Sequence, residues 1–94
     1  MDETTFRASL AQDGFTEVLV REVPANAALP EHHHAWDARL MVLQGQLQLT
    51  RAGGTETFTA GHHCEVLRNQ PHAELHGTDG CTLLIGRRYA AEAA

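Results

Sequence analysis

Short β-type segments separated by turn-forming residues recur along most of the chain and limit what it can fold into. Residues 15–23 are rich in β-branched side chains, residues 46–50 alternate polar and apolar side chains, and residues 81–85 are almost wholly apolar. With glycine or proline between such segments, we expect roughly seven or eight strands, one about every eight to twelve residues. No stretch supplies the crossover helices that parallel strands require. The sequence therefore predicts an all-β fold, a sandwich or barrel of antiparallel strands.

One helix and several turns complete this prediction. Residues 4–12 contain helix-forming residues and are followed by Asp13-Gly14, which predicts a short N-terminal helix that ends there. Gln44-Gly45 and residues 78–80 carry turn-forming residues, and we expect both to be turns between separate strands.

The length and composition of the chain favour a single small domain. It has 94 residues, 43% of them hydrophobic, and we assign 1–94 to one domain. The barrel is expected at about 15–88, followed by a C-terminal tail at 89–94 with fraying from Arg87. Because a chain this short leaves much of its surface exposed and because its sheet has edge strands, we expect a homodimer.

The charge and the terminal sequence argue against several partners. The net charge is −5 and lysine is absent, so no nucleic acid is expected as a partner. No apolar run reaches the ~20 residues of a membrane span, and residues 1–10 do not resemble a signal peptide. We therefore expect a cytoplasmic protein without a membrane partner, in which Cys64 and Cys81 are reduced and serve as small buried side chains.

Histidine is the unusual residue of this composition, with seven copies. In a strand, residues two apart point to the same face, so His32 and His34 are expected to lie side by side. His72 follows a turn some forty residues later and is the candidate for a third nitrogen. Three neutral imidazoles suit a divalent transition metal, and zinc, iron, manganese, nickel and copper all remain open. His33 is expected to face the other way, and His62-His63 to be a surface feature.

Two stretches of the chain resemble the two sequence motifs of the cupin superfamily. In residues 30–47, the HxH of residues 32–34 and the VLxGxL pattern of residues 42–47 match the first motif in register. In the second, Gly61 is followed by five residues and then by the turn of residues 67–72, which ends in a histidine. The resemblance covers nearly the whole domain. It implies a single antiparallel jelly-roll β-barrel with a metal inside one mouth, held by His32, His34 and His72.

The chain departs from the cupin motifs at the fourth ligand and at one glycine. The glutamate of the first motif falls on Ala38, or on Arg39 in a longer variant, and neither residue binds a metal. Asp37 is the alternative fourth ligand, although strand alternation points it away from the histidines unless a bulge redirects it. Asn69 replaces a glycine of the second motif, and asparagine tolerates the left-handed conformation that glycine adopts there.

Further residues are candidates for the surroundings of the site. His76 occupies the asparagine position of the second motif and is the candidate acid or base, whereas Glu74 is placed on the opposite face of the strand. Trp36 is expected either to close the mouth of the barrel or to pack, against the barrel rim or a dimer partner. Candidate lining residues for the cavity are Met41, Leu43, Leu47, Phe58, Val66 and Leu83.

Three functions fit these observations. The first is a metal-dependent oxygenase, isomerase or lyase acting on a small molecule. The second is a non-catalytic module that binds or senses a metal or a small ligand. The third is a metal-free structural barrel in which the histidines have no ligand role.

Overall fold

The computed structural model describes residues 1–90. One helix precedes six strands, and every strand pairing is antiparallel, which confirms the all-β prediction. The elements are α1 (Glu3–Gln12), β1 (Glu17–Val23), β2 (Ala28–His32), β3 (Trp36–Arg51), β4 (Gly54–Thr59), β5 (His63–Val66) and β6 (His72–Tyr89).

Two long strands, β3 and β6, form the centre of the sheet. They pair along almost their whole length, from Trp36 opposite Tyr89 to Thr50 opposite Ala73. The shorter strands extend the two halves of this pair: β1 and β2 pair with β6, and β4 and β5 pair with β3. Residues from both halves therefore meet on the inner face.

The predicted turns at Gln44-Gly45 and at residues 78–80 are wrong, because both stretches lie inside continuous strands. The register of β3 against β6 shifts on either side of Gly45, as in β-bulges. Gly45 and Gly80 have φ values of +86° and +78°, which non-glycine residues rarely adopt. A Cβ on Gly45 would lie 2.1 Å from the carbonyl oxygen of Gly80. The two glycines therefore let the paired strands bend together, and six strands replace the seven or eight expected.

Apolar residues occupy both faces of the bent sheet. The inner cluster combines residues of β3, β4, β5 and β6 with Leu19 and Val23 of β1. On the outer face, Phe6 and Leu10 of α1 pack with Phe15, Met41 and Leu84. Full burial of a phenylalanine or leucine is worth about 1.5–3 kcal/mol, so two fully buried side chains hold the short helix to the sheet.

The approach of the helix depends on a glycine of β6. A Cβ on Gly86 would lie 2.6 Å from Cδ2 of Leu10, which is closer than a real contact allows. The helix itself begins at Asp2, whose side chain accepts a hydrogen bond from the Thr5 amide at 2.7 Å.

A buried carboxylate joins three parts of the sheet. Asp37 of β3 is 4% exposed, and its oxygens accept hydrogen bonds from Arg68, at 2.8 Å from the amide and 2.9 Å from Nη2. Arg88 of β6 donates to the same carboxylate at 2.9 Å. These bonds, chiefly those of Arg68, hold the pKa of Asp37 well below its usual range. The group is therefore ionised and fully paired.

The C-terminal prediction needs one correction. Residues Arg87–Tyr89 belong to β6 and pair with β3, so they do not fray; the rest of the predicted tail, beyond residue 90, lies outside the described residues. Within the described part of the chain, no helix has the length and apolarity to cross a membrane.

We expect Asp37→Asn to lower the free energy of unfolding by about 1–3 kcal/mol at pH 7, because both arginines lose their charged partner. The native pKa of Asp37 lies below the unfolded value of about 3.9. Its contribution is therefore complete above that value and is lost as the pH falls through the native pKa. Urea unfolding of the variant and the parent chain should show the full difference at pH 7 and a progressively smaller one as the pH falls below about 4, where the unfolded carboxyl becomes protonated.

The exposed Asp79 provides a matched control for this experiment. Asp79→Asn should change the unfolding free energy by no more than about 0.5 kcal/mol. A difference between Asp37→Asn and the parent that does not shrink at low pH would contradict the ion-pair explanation.

Candidate metal centre

Strand pairing brings two of the predicted ligands together. His32 ends β2 and His72 begins β6, and the two residues are opposite each other in the register. The register shifts by one residue between Leu29 and His32, so a bulge in β2 sets this pairing. The two ring centroids are 4.2 Å apart.

His34 comes from the connection between β2 and β3, and the second predicted motif holds it in place. Its carbonyl oxygen accepts a hydrogen bond from the Asn69 amide at 2.7 Å. Asn69 has φ +62°, which confirms that this asparagine takes the conformation of the motif glycine. The His34 ring lies 4.9 Å from that of His32 and 5.1 Å from that of His72.

Hydrogen bonds fix which nitrogen is free in two of the three rings. Nδ1 of His32 donates to the carbonyl of Pro30 at 2.7 Å, and Nδ1 of His72 donates to the carbonyl of Gln70 at 2.9 Å. Because a carbonyl oxygen only accepts, each neutral ring carries its proton on Nδ1 and a lone pair on Nε2. Metal-binding histidines are commonly oriented in this way.

The three rings fit a common ion. One nitrogen of each of His32, His34 and His72 lies within 4.8 Å of the others. Two nitrogens each about 2.1 Å from one ion are at most about 4.2 Å apart. Small side-chain adjustments are therefore enough for all three to reach a single metal.

The environment of His34 keeps its ring neutral. Trp36 stacks on it with ring centroids 4.7 Å apart and an interplanar angle of 15°. Burial, followed by the nearby charges of His32 and His72, lowers the pKa of His34 to about 4. At neutral pH its lone pair is therefore available to a cation.

A cavity opens beside the histidines. It has a volume of about 280 Å³, and His32, His34 and His76 contribute to its wall. His72 is buried and is not part of that wall. The remaining lining residues are Arg21, Glu22, Val23, Pro24, Ala27, Leu29, Trp36, Ala38, Glu74, Leu83, Ile85 and Arg87.

Solved structures share this architecture. A protein of unknown function from Rhizobium leguminosarum matches with a TM-score of 0.73 and 16% identity, over 78% of this chain and 69% of that one. An RmlC-like cupin from Shewanella frigidimarina matches with a TM-score of 0.69 and 21% identity, over 80% of this chain and 67% of that one. This chain has the cupin fold. The jelly-roll prediction is thereby confirmed.

A third solved structure that matches is the DMSP lyase DddQ from Ruegeria pomeroyi, with a TM-score of 0.71 and 23% identity, over 82% of this chain and 40% of that one. The chain thus spans between 40% and 69% of the length of these three proteins. No protein-family model matches the sequence. No curated protein matches it either.

Neither residue at the expected carboxylate position of the first cupin motif supplies a metal ligand beside the three histidines. Ala38 lines the cavity but has no ligand atom, and Arg39 pairs with Asp13 and Glu65. The prediction of Asp37 as a fourth ligand is wrong, since both its oxygens bind arginine side chains. Strand alternation indeed points it away from the histidines, and no bulge redirects it.

The second cupin motif contributes more than the sequence suggested. His72, Glu74 and His76 are spaced two residues apart along β6 and therefore point to the same face. The prediction that Glu74 lies on the opposite face is wrong. Oε2 of Glu74 is 3.7 Å from Nε2 of His32, and its Oε1 is 3.5 Å from Nε2 of His76. The period-two spacing from His72 was the signal that identifies Glu74.

His76 lies deeper in the same wall, as expected. It is 2% exposed, and neither ring nitrogen has a hydrogen-bond partner among the described residues. Burial lowers its pKa, against the opposing effect of Glu74. A buried polar group without a partner is costly and therefore indicates an interaction that a bound group completes.

His33, His62, His63 and the two cysteines are not members of the cluster formed by His32, His34 and His72. His33 is exposed, and Nδ1 of His62 accepts a hydrogen bond from the Thr59 amide at 3.0 Å. Burial raises the pKa of Cys64 to about 12 and also raises that of Cys81, so neither thiol is a ready nucleophile.

Of the cavity residues proposed from sequence, Leu83 lines the wall, whereas Met41 and Leu43 pack under α1 on the outer face. Leu47, Phe58 and Val66 belong to the inner core. Trp36 lines the cavity and also contacts Tyr89, with ring centroids 5.7 Å apart. It therefore packs at the rim, as one of the two alternatives predicted.

The stacked pair gives a direct readout of the His34 environment, because Trp36 is the only tryptophan of the chain. We expect Trp36 fluorescence to fall as the pH drops through about 4, where His34 becomes a charged quencher. Since folding favours the neutral ring, protonation also removes stability as the pH falls from the ordinary value of 6.5 towards 4.

His34→Gln should abolish this fluorescence transition, whereas His33→Gln, at the neighbouring exposed position, should retain it. A midpoint near 6.5 in the parent chain would show that His34 is not shielded from water in the way described.

Proposed function

We propose that this cupin binds a divalent transition metal through His32, His34 and His72, and that the metal faces a small-molecule cavity. The observation that carries the proposal is the convergence of three imidazole nitrogens, two of them with the lone pair fixed on Nε2 by backbone hydrogen bonds. Such an arrangement is costly to hold unless a cation uses it, because it brings lone pairs together in a partly buried place.

The chemistry of the site suits a metal-assisted reaction on a small molecule. A metal in such a site supplies Lewis acidity and open coordination positions. The chain's own residues have two further roles. Apolar side chains of the cavity wall, which include Leu83 and Ile85, exclude water, and the stacked Trp36 ring orients His34. A volume of about 280 Å³ is just below the range of drug-sized pockets, which favours a small metabolite.

Charge in the cavity favours a ligand with an acidic group. Arg21 lines the wall, and every other arginine pairs with a carboxylate while Arg21 has no such partner in the described part of the chain. Its positive charge also contributes to the low pKa of His34 and of His76, which places it near both rings. An arginine in this position is suited to binding a carboxylate on a ligand that reaches the metal.

Two uses of this site remain distinct proposals. In the first, the protein is an enzyme, an oxygenase, isomerase or lyase; the likeness in fold to a DMSP lyase gives the lyase a precedent. In the second, it binds a metal or a small ligand without turnover, as a carrier or sensor. The short connections between the strands favour the second, because loops usually provide specificity.

The double substitution His32→Ala/His34→Ala tests the metal site. We expect the parent chain to bind about one equivalent of Zn²⁺ or Co²⁺ and the double variant to bind none that survives gel filtration. The exposed His33→Ala, between the two, is the matched control and should bind as the parent does. Unchanged stoichiometry in the double variant would place the metal elsewhere or reduce these histidines to a structural role.

The ligand class has a separate test with acetate and its neutral analogue acetamide as probes. Added to the Co²⁺-loaded protein, acetate should shift the visible cobalt spectrum at lower concentration than acetamide. Arg21→Gln should weaken acetate binding about three- to tenfold and leave acetamide unaffected. Arg21→Lys keeps the charge and should restore part of the difference; equal binding of acetate by all three proteins would exclude Arg21 from ligand recognition.

A further inference from the structure

We infer that Glu74 of β6 supplies the fourth, carboxylate ligand of this metal centre, and that His76 holds the carboxylate in place. The inference rests on the proposed function, since it concerns the same ion. It assigns to the second motif a ligand that the first motif lacks, where Ala38 and Arg39 offer no oxygen and Asp37 is paired with arginines.

The position of Glu74 follows from the strand. It lies two residues after His72 and two before His76, so the three side chains share one face of β6. Its side chain is only 13% exposed. Across the sheet it is opposite Leu29, and the bulge that follows in β2 brings His32 to its side. The carboxylate is therefore held beside the histidine cluster by backbone pairing and is not free to turn into solvent.

The contact between Glu74 and a neutral His32 ring is unfavourable unless a cation lies between them. In the neutral ring His32 donates from Nδ1 to Pro30, so its Nε2 presents a lone pair. Oε2 of Glu74 faces that nitrogen at 3.7 Å, which is too long for a hydrogen bond. Two electron-pair donors then face each other at side chains that are only 29% and 13% exposed. A metal bound to both atoms converts this contact into coordination, and adjacent ligand atoms about 2.1 Å from one ion are separated by about 3–4 Å.

The distances also define how much movement is needed. Glu74 lies outside the group of ligand atoms that are all within 4.8 Å of one another, so its oxygen is close to His32 but farther from another ring. Coordination by Glu74 therefore requires a rotation of its side chain towards the histidines.

His76 explains where the second carboxylate oxygen goes. Oε1 of Glu74 is 3.5 Å from Nε2 of His76, a buried nitrogen without a hydrogen-bond partner. When Oε2 binds the ion, a proton on Nε2 of His76 can be donated to Oε1. Ligand carboxylates are commonly held by such hydrogen bonds. The pairing would satisfy one of the two orphaned nitrogens of His76, so we assign it as a positioning residue.

Charge balance points the same way. Three neutral imidazoles leave both charges of a divalent ion uncompensated, with Arg21 also on the cavity wall. Glu74 reduces this positive charge inside a partly buried site, where an uncompensated charge is costly.

Substitution of Glu74 by glutamine tests the assignment. We expect Glu74→Gln to weaken Co²⁺ and Zn²⁺ binding by about tenfold or more and to change the visible spectrum of bound Co²⁺, which reports the ligand set. The matched control is Glu22→Gln, which removes the same charge from the wall of the same cavity, whereas both histidine–carboxylate pairs of residues 1–90 involve Glu74. It should weaken binding by no more than about threefold.

The result distinguishes this inference from the proposed function. Binding that depends on His32 and His34 but is equal in Glu74→Gln and the parent overturns the role of Glu74 and leaves the histidine site intact. Equal losses in Glu74→Gln and Glu22→Gln, with an unchanged cobalt spectrum, reduce Glu74 to a general charge effect. Failure of the parent chain to bind any metal overturns both.

The role of His76 is tested through its coupling to Glu74. His76→Gln should weaken Co²⁺ binding by up to about tenfold in the parent and leave it unchanged in the Glu74→Gln background. If His76→Gln unfolds the chain, His76→Asn is measured in its place. Equal losses in both backgrounds would show that His76 acts on the fold and not through the carboxylate.

Discussion

The pairing of β3 with β6 is the constraint on which the rest of the molecule depends. Each strand is long enough to belong to both halves of the sheet, and all four shorter strands attach to one of the two. The pair bends where Gly45 meets Gly80, at positive φ in both residues. Because the strands bend together, β6 carries His72, Glu74 and His76 along the inner face, and the bulge in β2 brings His32 beside them. The grouping of these candidate ligands is thus a consequence of sheet register.

The sequence predicts the β-type segments well but predicts the bends within β3 and β6 poorly. A glycine at positive φ satisfies a tight turn and a β-bulge equally, so Gln44-Gly45 and residues 78–80 have the same local signal in either case. What decides between them is the partner strand, since Gly45 lies against the Gly80 carbonyl only when β3 and β6 are already paired. That information is non-local. By contrast, Asn69 was predictable because its conformational requirement is set within its own turn.

For the candidate site too, local sequence predicts the direction of side chains, whereas their contacts depend on residues distant in the sequence. Alternation of side chains places His32 with His34 and turns Asp37 away, and it places Glu74 with His72 once the spacing is counted correctly. No spacing rule identifies the partners of Asp37, because Arg68 and Arg88 come from separate parts of the chain. Nor does the sequence indicate that His76 lacks a hydrogen-bond partner, since burial of its nitrogens depends on how the barrel wall closes around them.

The contrast between the two buried polar groups is informative about function. Asp37 has every oxygen paired, and its ion pairs contribute to the stability of the sheet. The cluster around His32 is the reverse: with a neutral ring, lone pairs face one another at His32 and Glu74, and the nitrogens of His76 have no hydrogen-bond partner within residues 1–90. Proteins tolerate such local costs where a bound group removes them. A ligand that binds only the folded chain would return this free energy as stability. The residues that make this arrangement unfavourable on its own are therefore the ones from which the proposed cation site would draw its affinity.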